Sequence, residues 1–202
     1  MENYIMVNGK KIDLTEEQIR EIIDAYEEKQ CLLSAVQEGE IVKIDGREYI
    51  VLGQYGEETA LITKNIIKKM AFGENNNFAD STVDVWCKSF AEDLTNAVGE
   101  RNIVEHTVDL TSDDGMRDYG AVQRRVSLLT TEQYRQYVDI LDKYKLDAWW
   151  LLATPFSTPR HCNDTWVKCV SPSGFIIRDD FNCDGLGVRP FCILKSSIFV
   201  SA

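Results

Sequence analysis

A chain of 202 residues with 44% hydrophobic content and a net charge of -11 is long enough for one large domain that buries its own core without disulfide staples. No run approaches the roughly 18 to 20 apolar residues that cross a bilayer, and Met1-Glu2-Asn3-Tyr4 has neither the basic nor the apolar region of an export signal, so a cytoplasmic protein is expected. The charge divides as -4 over residues 1–30, -7 over 31–130 and 0 over 131–202, which disfavours direct nucleic-acid binding and leaves an acidic surface suited to a basic protein partner.

The opening Tyr4 to Leu14 reads as a hairpin about Asn8-Gly9, a pair that favours the tight turn matching strand twist. Thr15 and Gln18 form a capping box, and Ile19, Ile22, Ile23 and Tyr26 then line one face of an amphipathic helix. Residues 1–36 are therefore expected to be an N-terminal appendage, and residues 37–202 the main domain.

Short apolar runs bounded by Asp45-Gly46 and by Gly53 to Gly56 predict an antiparallel meander over Ile41–Ile44, Glu48–Leu52 and Thr59–Thr63. Lys64 to Phe72 is expected as a brief helix and Gly73 to Asn77 as a surface loop. Ser81 caps a helix whose apolar face carries Val83, Trp86, Cys87, Phe90 and Leu94, and Gly99 ends it. Ile103 to Leu110 alternates like a half-buried strand, and Thr111 to Gly120 is a polar loop of the kind that carries function.

Arg124 to Leu129 predicts a further strand, followed by a helix that Thr130 and Gln133 box and that places Tyr134, Tyr137, Val138, Leu141 and Tyr144 on one side. Trp149 and Trp150, adjacent on a strand, face opposite ways, one to the core and one outward. Thr165–Val170 and Gly174–Ile177 make a hairpin around Ser171-Pro172-Ser173, and Gly187-Val188-Arg189-Pro190 leads into a closing strand expected to pair with the Trp149-Trp150 region. Arg189 is expected to be structural, held by carbonyls or a carboxylate.

Taken in order, Gly39 to Leu52, Ser81 to Trp86, Val126 to Tyr134, Trp149 to Ala153, Val167 to Gly174 and Gly187 to Pro190 resemble a bacterial and phage domain of unknown function. That domain carries a W-W-L-R-S segment and a closing G-V-R-P. The resemblance covers residues 39–194; Leu152 and Ala153 depart from it, standing where Arg and Ser are usual. It implies an α+β fold like that of C-type lectins and formylglycine-generating enzymes, with a mixed or antiparallel sheet and two packed helices, and it transfers no catalytic residues.

Six cysteines lack the close C-x-x-C pairs of a zinc site, and two histidines are too few for a metal centre. Asp180, Asn182, Asp184 and Gly185 match the opening positions of a calcium loop, but Phe191 stands where the bidentate carboxylate belongs; they are the only metal candidates. No catalytic residues are assigned and no other cofactor is expected. Phe156, His161, Asn163, Asp164, Trp166, Arg178 and Asp180 gather aromatic, Arg and Asn side chains of the type used in recognition. The expectation is a non-enzymatic, phage- or mobile-element-encoded module binding a protein or small polar ligand through these C-terminal loops. The alternative is an acidic inhibitor of a host defence complex, of the anti-CRISPR kind, that meets a basic nucleic-acid groove through Glu16, Glu17, Glu57 and Glu58.

Overall fold

The computed structural model describes the backbone of residues 4–7 and all of residues 10–20 and 30–201. Strands β1 (Tyr4–Val7) and β2 (Lys10–Asp13) pair antiparallel with Val7 opposite Lys10, so a two-residue connection joins them. The turn residues Asn8 and Gly9 and the helix face at Ile22, Ile23 and Tyr26 lie outside the described residues. Residues 16–20 are helical, and the capping box is present: the Gln18 amide donates to Thr15 Oγ1 at 3.1 Å, and the Thr15 amide to Gln18 Oε1 at 3.0 Å.

Among the described residues the body is mixed α+β and mostly sheet. Its larger sheet contains β3 (Gln30–Leu32), β4 (Ile41–Ile44), β5 (Arg47–Tyr55), β6 (Glu58–Thr63), β8 (Ile103–Val104), β11 (Val126–Ser127), β16 (Phe191–Lys195) and β17 (Phe199–Ser201). The main path runs β11-β16-β6-β5-β4-β17-β3, with β8 also pairing β16. Residues 30–36, grouped on sequence with the N-terminal appendage, are built into this body: β3 pairs β17, and Leu33 and Val36 join the core.

Period-two alternation divides the core between the two faces of this sheet. Tyr49, Val51, Leu61, Cys192 and Leu194 face one cluster, which also contains Val83, Cys87, Phe90 and Leu94 of the long helix Thr82–Val98. Ile50, Leu52, Ala60, Ile62 and Phe191 face the other, with Tyr134, Tyr137 and Leu141 from the shorter helices Thr131–Gln136 and Val138–Leu141. Because both faces are covered, β5 and β6 read as continuous apolar runs.

The caps form as expected. Ser81 accepts from the Asp84 amide, Gly99 at φ 86° takes the left-handed region that L side chains avoid, and Thr130 and Gln133 complete their box. The second helix is interrupted at Tyr137, where φ -104° and ψ 11° leave the helical region and the hydroxyl meets Tyr55 at 2.9 Å.

The smaller sheet runs β14-β13-β12-β15-β7, comprising β7 (Lys68–Lys69), β12 (Trp150–Pro155), β13 (Trp166–Val170), β14 (Ile176–Asp180) and β15 (Gly187–Val188). The closing strand does not pair with the Trp149-Trp150 region as expected: β16 lies in the larger sheet against β6, and the link to β12 is a single parallel bridge between Trp150 and Gly187. Trp150 is buried and Trp149 is exposed. The expected helix over Lys64 to Phe72 is instead extended, with β7 paired to β15 and the Ile67 amide donating to Val188. The reason is tertiary: Ile66 lies directly over Gly187, where an added Cβ would stand 2.4 Å from Ile66 Cδ1, so only glycine lets the two segments approach this closely.

A separate hairpin, β9 (His106–Asp109) and β10 (Ala121–Arg124), carries the polar loop between its strands. His106 is buried edge-on against Phe191, with Nε2 2.8 Å from Ser127 Oγ. Ser127 donates its own hydroxyl to Leu128 O, which leaves its oxygen to accept from Nε2–H.

Burial pushes the His106 imidazole down to about 4, whereas an unfolded histidine titrates near 6.5. The unfolded chain therefore binds the extra proton first. Stability contributed by neutral His106 is complete above about pH 6.5 and falls by about 3 kcal/mol on acidification to pH 4. Denaturant midpoints between pH 7 and pH 4 should show this slope in the natural protein and lose it in His106→Leu.

No helix among the described residues is long and apolar enough to cross a membrane.

Candidate functional site

The candidate site lies where the polar loop after β9 meets the segment from Pro155 to Trp166. Backbone bonds set the frame: the Asp113 amide donates to Pro155 O at 3.0 Å, and the Phe156 amide to Trp166 O at 3.0 Å. The register of β12 shifts between Leu151 and Pro155, and the new register carries on through Pro155 opposite Val167 to the Phe156 amide on Trp166 O.

Two carboxylates of the polar loop stitch it to the following segment. Asp114 Oδ2 accepts from Ser157 Oγ at 2.6 Å and from His161 Nδ1 at 2.8 Å, and Asp114 Oδ1 accepts from Ser112. Burial alone would raise the Asp114 carboxyl, but these donors outweigh it and hold it well below the usual carboxylate range. Asp118 accepts from Thr158 Oγ1 at 2.6 Å and pairs with Arg160.

Asn76 completes the stitching from below. It is fully buried rather than part of a surface loop: its side-chain amide donates to Ser157 O and Trp166 O, and its Oδ1 accepts from Tyr119. Its backbone amide donates to Asp164 O at 2.8 Å. Every polar atom of this side chain is engaged, which is why it can be buried.

Serine, histidine and aspartate meet here in an order different from that of a nucleophilic relay. In such a relay the imidazole stands between hydroxyl and carboxylate; here the Asp114 carboxylate stands between Ser157 and His161, and Ser157 is only 2% exposed. The arrangement holds two loops together and orients His161, whose ring is partly exposed.

On the sheet beside these loops, Arg178 of β14 lies opposite Lys168 of β13. Like charges directly opposite would repel. Lys168 is instead drawn to Asp113 at 2.9 Å, with Arg135 3.7 Å from the same carboxylate, so its charge is matched. Arg178 lies against two aromatic rings, its guanidinium carbon 4.7 Å from the centroid of Phe156 and 4.7 Å from that of Trp166. No hydrogen bond or ion pair engages Arg178 among the described residues, and it is exposed. A cation held this way keeps all its N–H donors available.

Of the residues expected to form the site, the structure brings Phe156, Trp166 and Arg178 into direct contact. His161 sits in the Asp114 network. Asn163 Oδ1 accepts from the Thr165 and Trp166 amides at 3.3 and 3.4 Å, shaping the return into β13. Asp164 is exposed, and Asp180 pairs opposite Trp166. Sequence reasoning missed Asn76, Asp113, Asp114, Asp118, Ser157 and Lys168. The polar loop signalled only Asp113, Asp114 and Asp118, and each of the six acts through partners about 40 or more residues away.

At the proposed calcium loop, Asp180 Oδ1 accepts from the Asn182 amide at 3.2 Å, a local turn contact. Among the described residues no group of three or more His, Cys, Asp or Glu is placed to hold a metal ion. On the alternative acidic face, Glu16 and Glu17 are exposed on helical residues, and Glu58 is paired with Lys195 at 2.8 Å, which neutralises part of that surface.

Compared with family models, curated proteins and solved structures, the chain matches none.

Proposed function

We propose that the protein is a recognition module, of C-type lectin-like architecture as the finer reading of its α+β fold, that binds a protein partner through the face carrying Phe156, Trp166 and Arg178. The observation that carries this reading is the Arg178 guanidinium, stacked on two rings and, among the described residues, without a hydrogen-bond or ion-pair partner. Tryptophan and arginine are the side chains most often dominant in binding energy, and rigid ones lose least freedom when a partner arrives. The Asp114 and Asp118 bridges support the reading because they hold the surrounding loops in one shape before any contact is made.

A non-enzymatic role agrees with the role of Asp114 as a tether and with the burial of Ser157. The acidic-inhibitor alternative gains no comparable support, since Glu58 already has a cation beside it.

Pull-down from bacterial lysate tests the choice of face. Proteins retained by the natural chain should be lost with Trp166→Ala and kept, at both low and high salt, with Glu57→Lys. An identical retained set for natural protein and Trp166→Ala, or retention that collapses with Glu57→Lys, would overturn the proposal.

A further inference from the structure

Strand β14 is the end strand of the smaller sheet among the described residues. Its pairing with β13 fixes which backbone groups face outward. The Phe181 amide donates to Thr165 O and the Ser171 amide to Phe175 O, so in the register Asp180 opposite Trp166, Arg178 opposite Lys168 and Ile176 opposite Val170, the alternate residues Ile177 and Asp179 face β13. The N–H and C=O groups of Ile176 and Arg178 point away from the sheet.

This open edge has defined ends. Gly174 O is occupied by the Tyr134 hydroxyl at 2.8 Å, and the Asp180 amide is turned to Asp179 Oδ1 at 2.8 Å. Between these two stops the backbone offers hydrogen bonds for a short extended segment. Natural sheet edges are commonly guarded by charged side chains projecting into solvent. On this edge Arg178 lies back on the Phe156 and Trp166 rings, and the acids Asp179 and Asp180 stand only at its C-terminal end.

We infer that the protein binds an extended acidic segment of its partner by strand addition along Ile176 to Arg178, with a carboxylate of that segment received by the Arg178 guanidinium. The inference rests on the proposed binding face and specifies how that face is used. A residue added opposite Arg178 places its side chain on the same side of the sheet, about 5.5 Å away between Cα atoms in a hydrogen-bonded pair. That spacing lets an Asp or Glu reach the guanidinium fork, whose geometry matches a carboxylate. β-Branched residues on either side of the acid suit the extended conformation.

A random peptide library displayed on phage and selected on the natural protein provides the test. Selected peptides should carry Asp or Glu at one fixed position between β-branched residues, and should weaken about tenfold or more against Arg178→Gln. Arg178→Glu should recover binding when the peptide acid is changed to lysine. In the complex, amide hydrogen exchange at Ile176 and Arg178 should slow about tenfold or more in the unmutated protein, a readout that needs no variant to fold. Peptides lacking an acid, exchange unchanged at both amides, or no enrichment at all would overturn strand addition. Binding lost with Trp166→Ala while both amides exchange unchanged would leave the binding face standing and remove only the strand mode; indifference to Trp166→Ala would remove both.

Discussion

Asp84→Ala is expected to destabilise the protein by about 3–5 kcal/mol, because it leaves a partly buried guanidinium without its counter-charge. Asp84 is fully buried on the long helix and receives Arg124 Nε and Nη2 in a two-pronged contact, each at 2.7 Å. It also accepts from the Asp80 amide at 2.8 Å and lies 3.3 Å from Lys88. Burial alone would raise its carboxyl, yet the Arg124 hydrogen bonds, the Asp80 amide and the nearby charges hold it below its ordinary value. Its contribution is therefore present above the unfolded carboxyl range and is lost only as pH falls through the lower folded value. Urea midpoints measure the loss. The double variant Asp84→Ala with Arg124→Leu should be less destabilised than the two single changes added together, since it removes both the charge and its orphaned partner. Additive single effects would show that the pair is not coupled.

Arg189→Ala is expected to cost about 3 kcal/mol, from two deserted carbonyls at roughly 1–3 kcal/mol each, partly offset by removing a buried charge. Arg189 is 1% exposed and donates from Nε to Thr63 O and from Nη2 to Lys64 O, both at 3.1 Å. Its guanidinium carbon stands 4.8 Å from the Trp150 ring centroid. Burial pushes the group down to about 10, so it remains charged at neutral pH. Thr63 ends β6 in the larger sheet and Trp150 begins β12 in the smaller, so this side chain joins the two sheets. Thermal unfolding with near-ultraviolet circular dichroism should show both the lost stability and a changed signal from Trp150. Arg189→Met should cost less than Arg189→Ala because it refills the volume. Arg189→Lys should not restore stability, because a single ammonium lacks the fork that serves both carbonyls.

How much of this was legible depended on whether a feature is local. Both capping boxes, the Gly99 terminus and the opposite facings of Trp149 and Trp150 rest on residues within four positions of each other, and these formed as expected; the N-terminal strands pair over at most nine positions. Arg189 was also legible as a structural cation, because a charge beside apolar strand residues must find partners within the fold.

What escaped reading depended on distant residues. Lys64 to Phe72 has helical composition, but pairing with β15 and the close approach of Ile66 to Gly187 draw it into extended form. Asn76, in a stretch of Gly, Glu and Asn that looked like solvent-facing loop, is buried because donors and acceptors from three other segments meet it. The candidate site was legible by half. Its aromatic and arginine members stood out by residue type, whereas Asp113, Asp114 and Asp118 are ordinary loop acids until the fold supplies Lys168, His161 and Arg160.

Site-specific photo-crosslinking in bacterial lysate, with the reactive group placed in turn at exposed Asp164 beside the loop face and at exposed Glu57 on the acidic face, distinguishes the two surfaces. Discrete crosslinked products are expected from position 164, disappearing when Trp166→Ala is added, and none from position 57. Products from position 57 that persist with Trp166→Ala, with none from position 164, would contradict binding through the loop face.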